Sequence, residues 1–96
     1  MSAYIVAHIT IEDRARYSQY ETGFMAIFQK YQGRMLSVDE APEVIEGEWH
    51  ATRTVLIEFP SSTEAHAWID SSEYQALAQH RFAAARSHVV VLQGLG

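Results

Sequence analysis

The sequence predicts an α+β domain of order βαββαβ, a four-stranded antiparallel sheet with its helices on one face, and three observations predict it. Period-two alternation of apolar and polar residues marks strands. Segments with three- and four-residue apolar spacing fall between the strands as crossovers. A length of 96 residues, 48% of them hydrophobic and 20% charged, suits one hydrophobic core and one domain spanning 1–96. Five Gly and two Pro occur singly, where elements would end, and no repeat or linker interrupts the chain. The order is that of the ferredoxin-like arrangement, with strands one and three central.

The first strand runs from Tyr4 to Ile11, with Ile5, Ala7, Ile9 and Ile11 on one side and Tyr4, Val6, His8 and Thr10 on the other. Asp13 is placed to cap a helix whose large apolar positions, Tyr17, Tyr20, Phe24, Ile27, Phe28 and Tyr31, recur until Gly33 stops it. Arg34 to Val38 is the second strand. Ala41-Pro42 interrupts it, since proline donates no ladder hydrogen bond, and it resumes at Val44-Ile45-Glu46 after a bend or bulge. Gly47 to His50 is a turn. The third strand, Arg53 to Phe59, sets Arg53, Val55, Ile57 and Phe59 opposite Thr54, Leu56 and Glu58, and Pro60 closes it.

Ser61 with Glu64 reads as a capping box for a short helix bearing Ala65, Trp68 and Ile69, which Asp70-Ser71-Ser72 breaks. Ser72 with Gln75 reads as a second box. It opens a helix with Tyr74, Leu77, Ala78, Arg81 and Ala84 or Ala85 on one side. Ser87 to Gln93, centred on Val89-Val90-Val91-Leu92, is the last strand, ended by Gly94.

Composition removes several function classes. Seven Lys plus Arg against twelve Asp plus Glu leave a net charge of −5, which repels nucleic acid and anionic membranes where no basic patch overrides it. Without cysteine there is no disulfide, thiolate nucleophile or cysteine-held metal. The histidines show no metal-ligand spacing, the serines sit at helix starts as caps, and no glycine-rich phosphate loop occurs. No metal, organic cofactor, nucleotide, nucleic-acid or membrane partner is therefore expected. Met1 to Ala3 leads straight into the first strand without the charged and apolar regions of a leader, so the expected compartment is the cytoplasm.

The more aliphatic set, Ile5, Ala7, Ile9, Ile11, Val55, Ile57 and Phe59, is expected to face the helices. That leaves Tyr4, Val6, His8, Thr10, Leu56, Glu58 and part of Val89–Leu92 on an open face too apolar to leave in water. A second copy of the chain would cover it by twofold symmetry. At ~25 cal/mol per Å² of apolar area, several hundred Å² per chain is worth on the order of ten kcal/mol before the costs of association. A homodimer through the open sheet face is the expectation.

Across nearly its whole length the chain resembles the domain of unknown function 1330 family, within the dimeric α+β-barrel group. The residues carrying the likeness are Tyr31-Gln32-Gly33-Arg34, Glu46-Gly47-Glu48-Trp49, Ile57-Glu58-Phe59-Pro60-Ser61, Ala67-Trp68, Ser72-Glu73-Tyr74-Gln75, Arg81 and the Val-rich last strand. Members often carry Tyr after the helical Trp and Pro before Glu-Tyr, where this chain has Ile69 and Ser72. A role for that tyrosine hydroxyl is not implied here. The resemblance implies a ferredoxin-like subunit and a dimer whose two sheets form a barrel-like core. The wider group resembles cofactor-free monooxygenases, small-lactone isomerases and haem-dependent enzymes, which makes chemistry an expectation by analogy of fold alone.

Three sets of side chains stand out. An imidazole can exchange a proton near neutral pH, and His8 is expected to point from a central strand to the open face, where Glu58 of the neighbouring strand would orient it as an acid–base pair. The competing reading is a structural hydrogen bond at the dimer seam. Arg34, Arg53 and Arg81, at element edges or on a largely apolar helix side, suit a carboxylate ligand, with Glu46, Glu48 and Glu73 as ordinary ion-pair partners instead. Trp49, Trp68, Tyr20, Phe24 and Tyr74 would line an apolar ligand pocket or simply fill the core, and Trp49, in a polar turn, calls for a surface of the other subunit. The functional expectation is a binding or accessory domain for a small apolar or carboxylate-bearing ligand. The rival is a cofactor-free, monooxygenase- or isomerase-like enzyme acting on a small carbonyl or phenolic compound, with His8 and Glu58 moving protons and an arginine stabilising negative charge.

Overall fold

A computed structural model describes residues 1–96. The elements are β1 (Ala3–Ile11), α1 (Arg14–Phe28), β2 (Arg34–Asp39), β3 (Arg53–Phe59), α2 (Ser62–Ile69), α3 (Ser72–Ala84) and β4 (Ala85–Gln93). The four strands form one antiparallel sheet in the order β2-β3-β1-β4, which puts β1 and β3 in the centre as expected.

Alternation decides the faces. Ala3, Ile5, Ala7 and Ile9 of β1 and Val55, Ile57 and Phe59 of β3 are buried, while the residues between them are only partly covered. Apart from Ala3, the buried set joins Tyr17, Tyr20 and Phe28 of α1, Ala65 and Trp68 of α2, and Tyr74, Ala78 and Ala84 of α3 in one cluster. The Cα envelope measures 34 × 32 × 16 Å, thin because a single helix layer covers one side of the sheet and nothing covers the other. On that bare side Val90 and Leu92 are each 51% exposed, beside Val6 and Tyr4 in the β1–β4 register.

Local signals hold at some ends and fail at others. The Asp13 carboxylate accepts from the Arg16 amide at 3.0 Å, capping α1 as expected. At its other end α1 stops at Phe28, five residues before Gly33, and the chain leaves through tightened turn bonds such as Lys30 N–H to the Ile27 carbonyl at 3.1 Å. Gly33 is not in the left-handed region; Gly47, with φ of 77°, is the residue that needs it. Gly33 is small for another reason: a Cβ there would lie 2.5 Å from a Phe28 ring carbon and 2.7 Å from one of Phe59. Ser61 Oγ bonds the Glu64 carboxylate rather than a backbone amide, so the first capping box is not reciprocal. The second helix cap is Ser71, one residue earlier than the spacing suggested, accepting from the Tyr74 amide at 3.2 Å.

Strand β2 does not resume at Val44–Glu46; residues 40–52 contain no strand. Its irregularity lies earlier, between Met35 and Ser37, where Leu36 is the extra residue of a bulge. Strand β4 begins at Ala85, directly after α3, two residues ahead of the expected Ser87. No helix is long and apolar enough to cross a membrane.

Candidate functional site

The sheet separates two concavities. The first, of about 280 Å³, lies between the helices and the sheet. Its floor is Ile5, Ala7 and Ile9 of β1 with Val55 and Ile57 of β3; Tyr17, Tyr20 and Phe24 of α1, Trp68 of α2 and Tyr74 and Arg81 of α3 form its walls. Glu21, Met25, Met35, Arg53, Ile69 and Val89 complete it, and fourteen of its seventeen lining residues are hydrophobic.

These positions follow from local spacing. Tyr17, Tyr20, Glu21 and Phe24 recur on one face of α1, and Tyr74, Ala78 and Arg81 on one face of α3. The two faces meet where the Tyr20 and Tyr74 hydroxyls share a 2.6 Å hydrogen bond. Trp68 packs edge-on against Phe24 and Phe28 and lies 4.4 Å from the Tyr74 ring, centroid to centroid. Such pairs contribute about 0.5–1.5 kcal/mol each beyond their buried area and fix the wall's shape.

The charges in this cavity are unequal in their satisfaction. The Arg53 Nη1 lies 3.3 Å from Glu21 and 3.1 Å from Glu40, and Glu40 also receives Arg14 at 3.1 Å. Arg53 is thus a rim residue tying β3 to α1 and to the chain after β2. Arg81 is only 7% exposed and has no carboxylate within ion-pairing distance. Its guanidinium stands 5.7 Å from the Tyr20 ring centre and 5.0 Å from that of Phe82. Arg81 Nε, Arg53 Nε and Trp68 Nε1 are buried donors without a partner. Burial holds the Tyr17 phenol above its ordinary pKa against the opposing pull of Arg53. Burial, reinforced by Tyr74, pushes Tyr20 much further in the same direction. Both are neutral hydroxyls at physiological pH, and no imidazole lines the space, so the cavity is furnished to bind and to stabilise negative charge rather than to shuttle protons near neutrality.

The second concavity, about 730 Å³ and broadly open, lies on the bare sheet face among His8, Thr10, Glu48, Trp49, His50, Ala51, Arg86 and His88. Trp49 is 43% exposed, packs at a tilt against His8 of its own chain at 4.2 Å between ring centres, and donates from Nε1 to Thr54 Oγ1 at 3.0 Å.

The structure therefore brings six of the residues expected at a ligand site, Arg53, Arg81, Trp68, Tyr74, Tyr20 and Phe24, to one cavity and leaves Arg34 and Trp49 outside it. His8 and Glu58 do not meet within the chain. The register sets His8 opposite Thr54 and His88, and Glu58 opposite Tyr4 and Arg34. Glu58 is instead held by Arg34 at 2.7 Å and the Tyr4 hydroxyl at 3.2 Å. The ion-pair partners expected for the arginines are also different ones: Glu73 takes Lys30 and the Tyr31 hydroxyl, and Glu48 takes His50. Glu21, Glu40 and Met35 were missed as rim residues. The signal for Glu21 lay in its i+4 spacing from Tyr17; Glu40 reaches the rim only through the path of the chain after β2.

Residues 2–95 match the family described as domain of unknown function (DUF1330). None of the curated proteins matches the chain. Among solved structures, a protein of unknown function from Rhodopseudomonas palustris superposes with a TM-score of 0.82 at 17% identity, over 99% of this chain and 83% of its own. A dimeric ferredoxin-like protein of unknown function from Jannaschia sp. CCS1 gives a TM-score of 0.71 at 14% identity, over 98% of this chain and 100% of its own. SnoaB, a cofactor-independent oxygenase from Streptomyces nogalater, gives 0.68 at 12% identity, over 99% of this chain and 94% of its own. At these identities the likeness establishes the ferredoxin-like fold.

Proposed function

We propose, for a chain that belongs to the domain of unknown function 1330 family, that it is a homodimeric small-molecule-binding domain whose ligand occupies the cavity between the helices and the sheet. One observation carries the reading: Arg81, nine-tenths buried and without a counter-ion, lines a cavity that is otherwise almost wholly apolar. A buried unpaired guanidinium is destabilising in a chain that has no use for it. A ligand that brings its own negative charge removes the penalty.

The dimer is the finer half of the proposal. Val6, Leu56, Val90 and Leu92 form an apolar strip on the bare sheet face, and twofold packing of two such faces would cover it. The dimeric ferredoxin-like neighbour supports association into a dimer. With no cysteine the fold needs no oxidising compartment, which agrees with a place in the cytoplasm.

An enzymatic use of the same cavity is the second reading, and Arg81 favours it as the group that would stabilise an enolate or phenolate. It would draw on Glu21 at the rim, because His8 and Glu58 lie on the opposite sheet face. Heteronuclear NMR with a set of small aromatic and aliphatic fragments tests the binding reading. Fragments that bind should move amides of α1 around Tyr20 and of α3 around Ala78. A set that moves none of these amides overturns the proposal.

A further inference from the structure

The geometry points to an aromatic monocarboxylate bearing a second oxygen acceptor as the ligand of the helix–sheet cavity. The inference rests on the reading of that cavity as a binding site and specifies the chemistry it takes.

Charge comes first. Arg53 is already neutralised at the rim by Glu21 and Glu40, so the cavity presents one uncompensated cation, Arg81. One negative charge balances it. A phosphomonoester brings ~1.5–2 charges at neutral pH and three strong acceptor oxygens, more than one guanidinium and an apolar lining satisfy. The rings of Tyr20 and Phe82 hold the Arg81 guanidinium, and its Nε is free and buried. The Nε and Nη hydrogens along one edge match the two oxygens of a carboxylate.

The second donor is Trp68. Its residue is 2% exposed and its Nε1 has no partner. An indole N–H only donates, so a small turn of the ring, whose Nε1 is covered by its own chain, would offer it to a hydroxyl or carbonyl oxygen on the body of the ligand. Shape supplies the rest. Since an apolar cavity of ~150 Å³ holds benzene, about 280 Å³ has room for one ring with two short substituents. Tyr20, Phe24, Trp68 and Tyr74, mostly edge to face with one another, present faces and edges that favour an aromatic ring over a flexible alkyl chain.

The test uses 4-hydroxyphenylacetate, its neutral amide and octanoate, titrated calorimetrically into the intact protein. The aromatic acid should bind, and the amide and octanoate should each bind at least about tenfold more weakly, the factor expected when a charge-assisted bond or the ring contact is lost. Arg81→Met should weaken the acid by about tenfold or more and erase the preference for acid over amide. Arg81→Lys, which keeps the charge without the fork, should fall between and serves if the Met variant does not fold. In NMR spectra assigned with Trp49→Phe, the Trp68 indole proton should move downfield with the acid while that of Trp49 stays in place. Equal or tighter binding of the amide or octanoate, or a response from Trp49 alone, overturns the inference. If cavity amides respond to neutral fragments but show no preference for the acid, the inference falls and the binding reading stands; if no cavity amide responds to any compound, both fall.

Discussion

Replacing Arg81 by methionine should make the ligand-free protein more stable. Arg81 is 7% exposed, has no carboxylate within 4.0 Å, and leaves its Nε buried without a partner. Holding an ion out of water in this way costs several kcal/mol after relaxation, and exchanging buried charges for apolar groups of similar volume is often stabilising by ~1–4 kcal/mol. Against this stand the contacts with Tyr20 and Phe82, at 5.7 and 5.0 Å. Each such cation–π contact is worth ~0.5–2 kcal/mol. Methionine keeps the unbranched stem and fills irregular space, so little packing is lost. The balance is a gain of about 1–3 kcal/mol. In a domain of this size each 1 kcal/mol moves the melting temperature by ~4–8 °C. Urea unfolding of both proteins at one concentration and near neutral pH measures the gain. A variant less stable than the parent by more than about 1 kcal/mol would refute the reasoning, because it would mean that the guanidinium is satisfied by its own chain.

Leu56→Asp places a charge in the middle of the bare sheet face, beside Val6 in register, and should convert a dimer to a monomer or an insoluble chain in sedimentation; an unchanged dimer would remove that face as the seam. Gly33→Ala drives a methyl group into the buried Phe28 and Phe59 rings and should cost about 1–3 kcal/mol in thermal unfolding. Glu73 is held below its ordinary value near 4.5 by hydrogen bonds from Lys30 and Tyr31. Its contribution is therefore present above that value and lost as the pH falls through the depressed one, so the fall in urea midpoint at acid pH should be shallower in Glu73→Gln.

Alternation made the sheet readable. Apolar residues repeat with period two from Ala3 to Ile11 in β1 and from Val55 to Phe59 in β3, long enough to fix which face is buried, and the βαββαβ order places both strands centrally. Register was not readable to the same degree. His8 and Glu58 share a face by parity, yet an antiparallel pair reverses direction, so the first half of β1 meets the last half of β3 and Glu58 lands on Tyr4. Parity says which side a residue faces; only loop length and turn geometry say how far along it sits. The cavity residues on α1 and α3 were legible because helical spacing gathers Tyr20, Phe24, Tyr74 and Arg81 on apolar faces. What spacing could not reveal is which arginine lacks a partner, since that depends on Glu21 and Glu40 reaching Arg53 and no carboxylate reaching Arg81.

The two faces of β3 divide the work between them. Arg53, Val55 and Ile57 border the cavity, while Thr54, Leu56 and Glu58 lie on the bare side. Protein interiors ordinarily pack to the density of organic crystals, so a space of about 280 Å³ under a helix layer forgoes dispersion contacts that a filled core would have. The buried cation adds to that cost. In a chain of 96 residues the net stability is only about 0.05–0.15 kcal/mol per residue, which leaves little to offset either. Covering the apolar strip of Val6, Leu56, Val90 and Leu92 by a second copy would supply the missing stabilisation from the opposite side of the same sheet. Association would then offset the cost of that space and of the buried cation, and a chain with a disrupted seam should be least stable where Arg81 is still present.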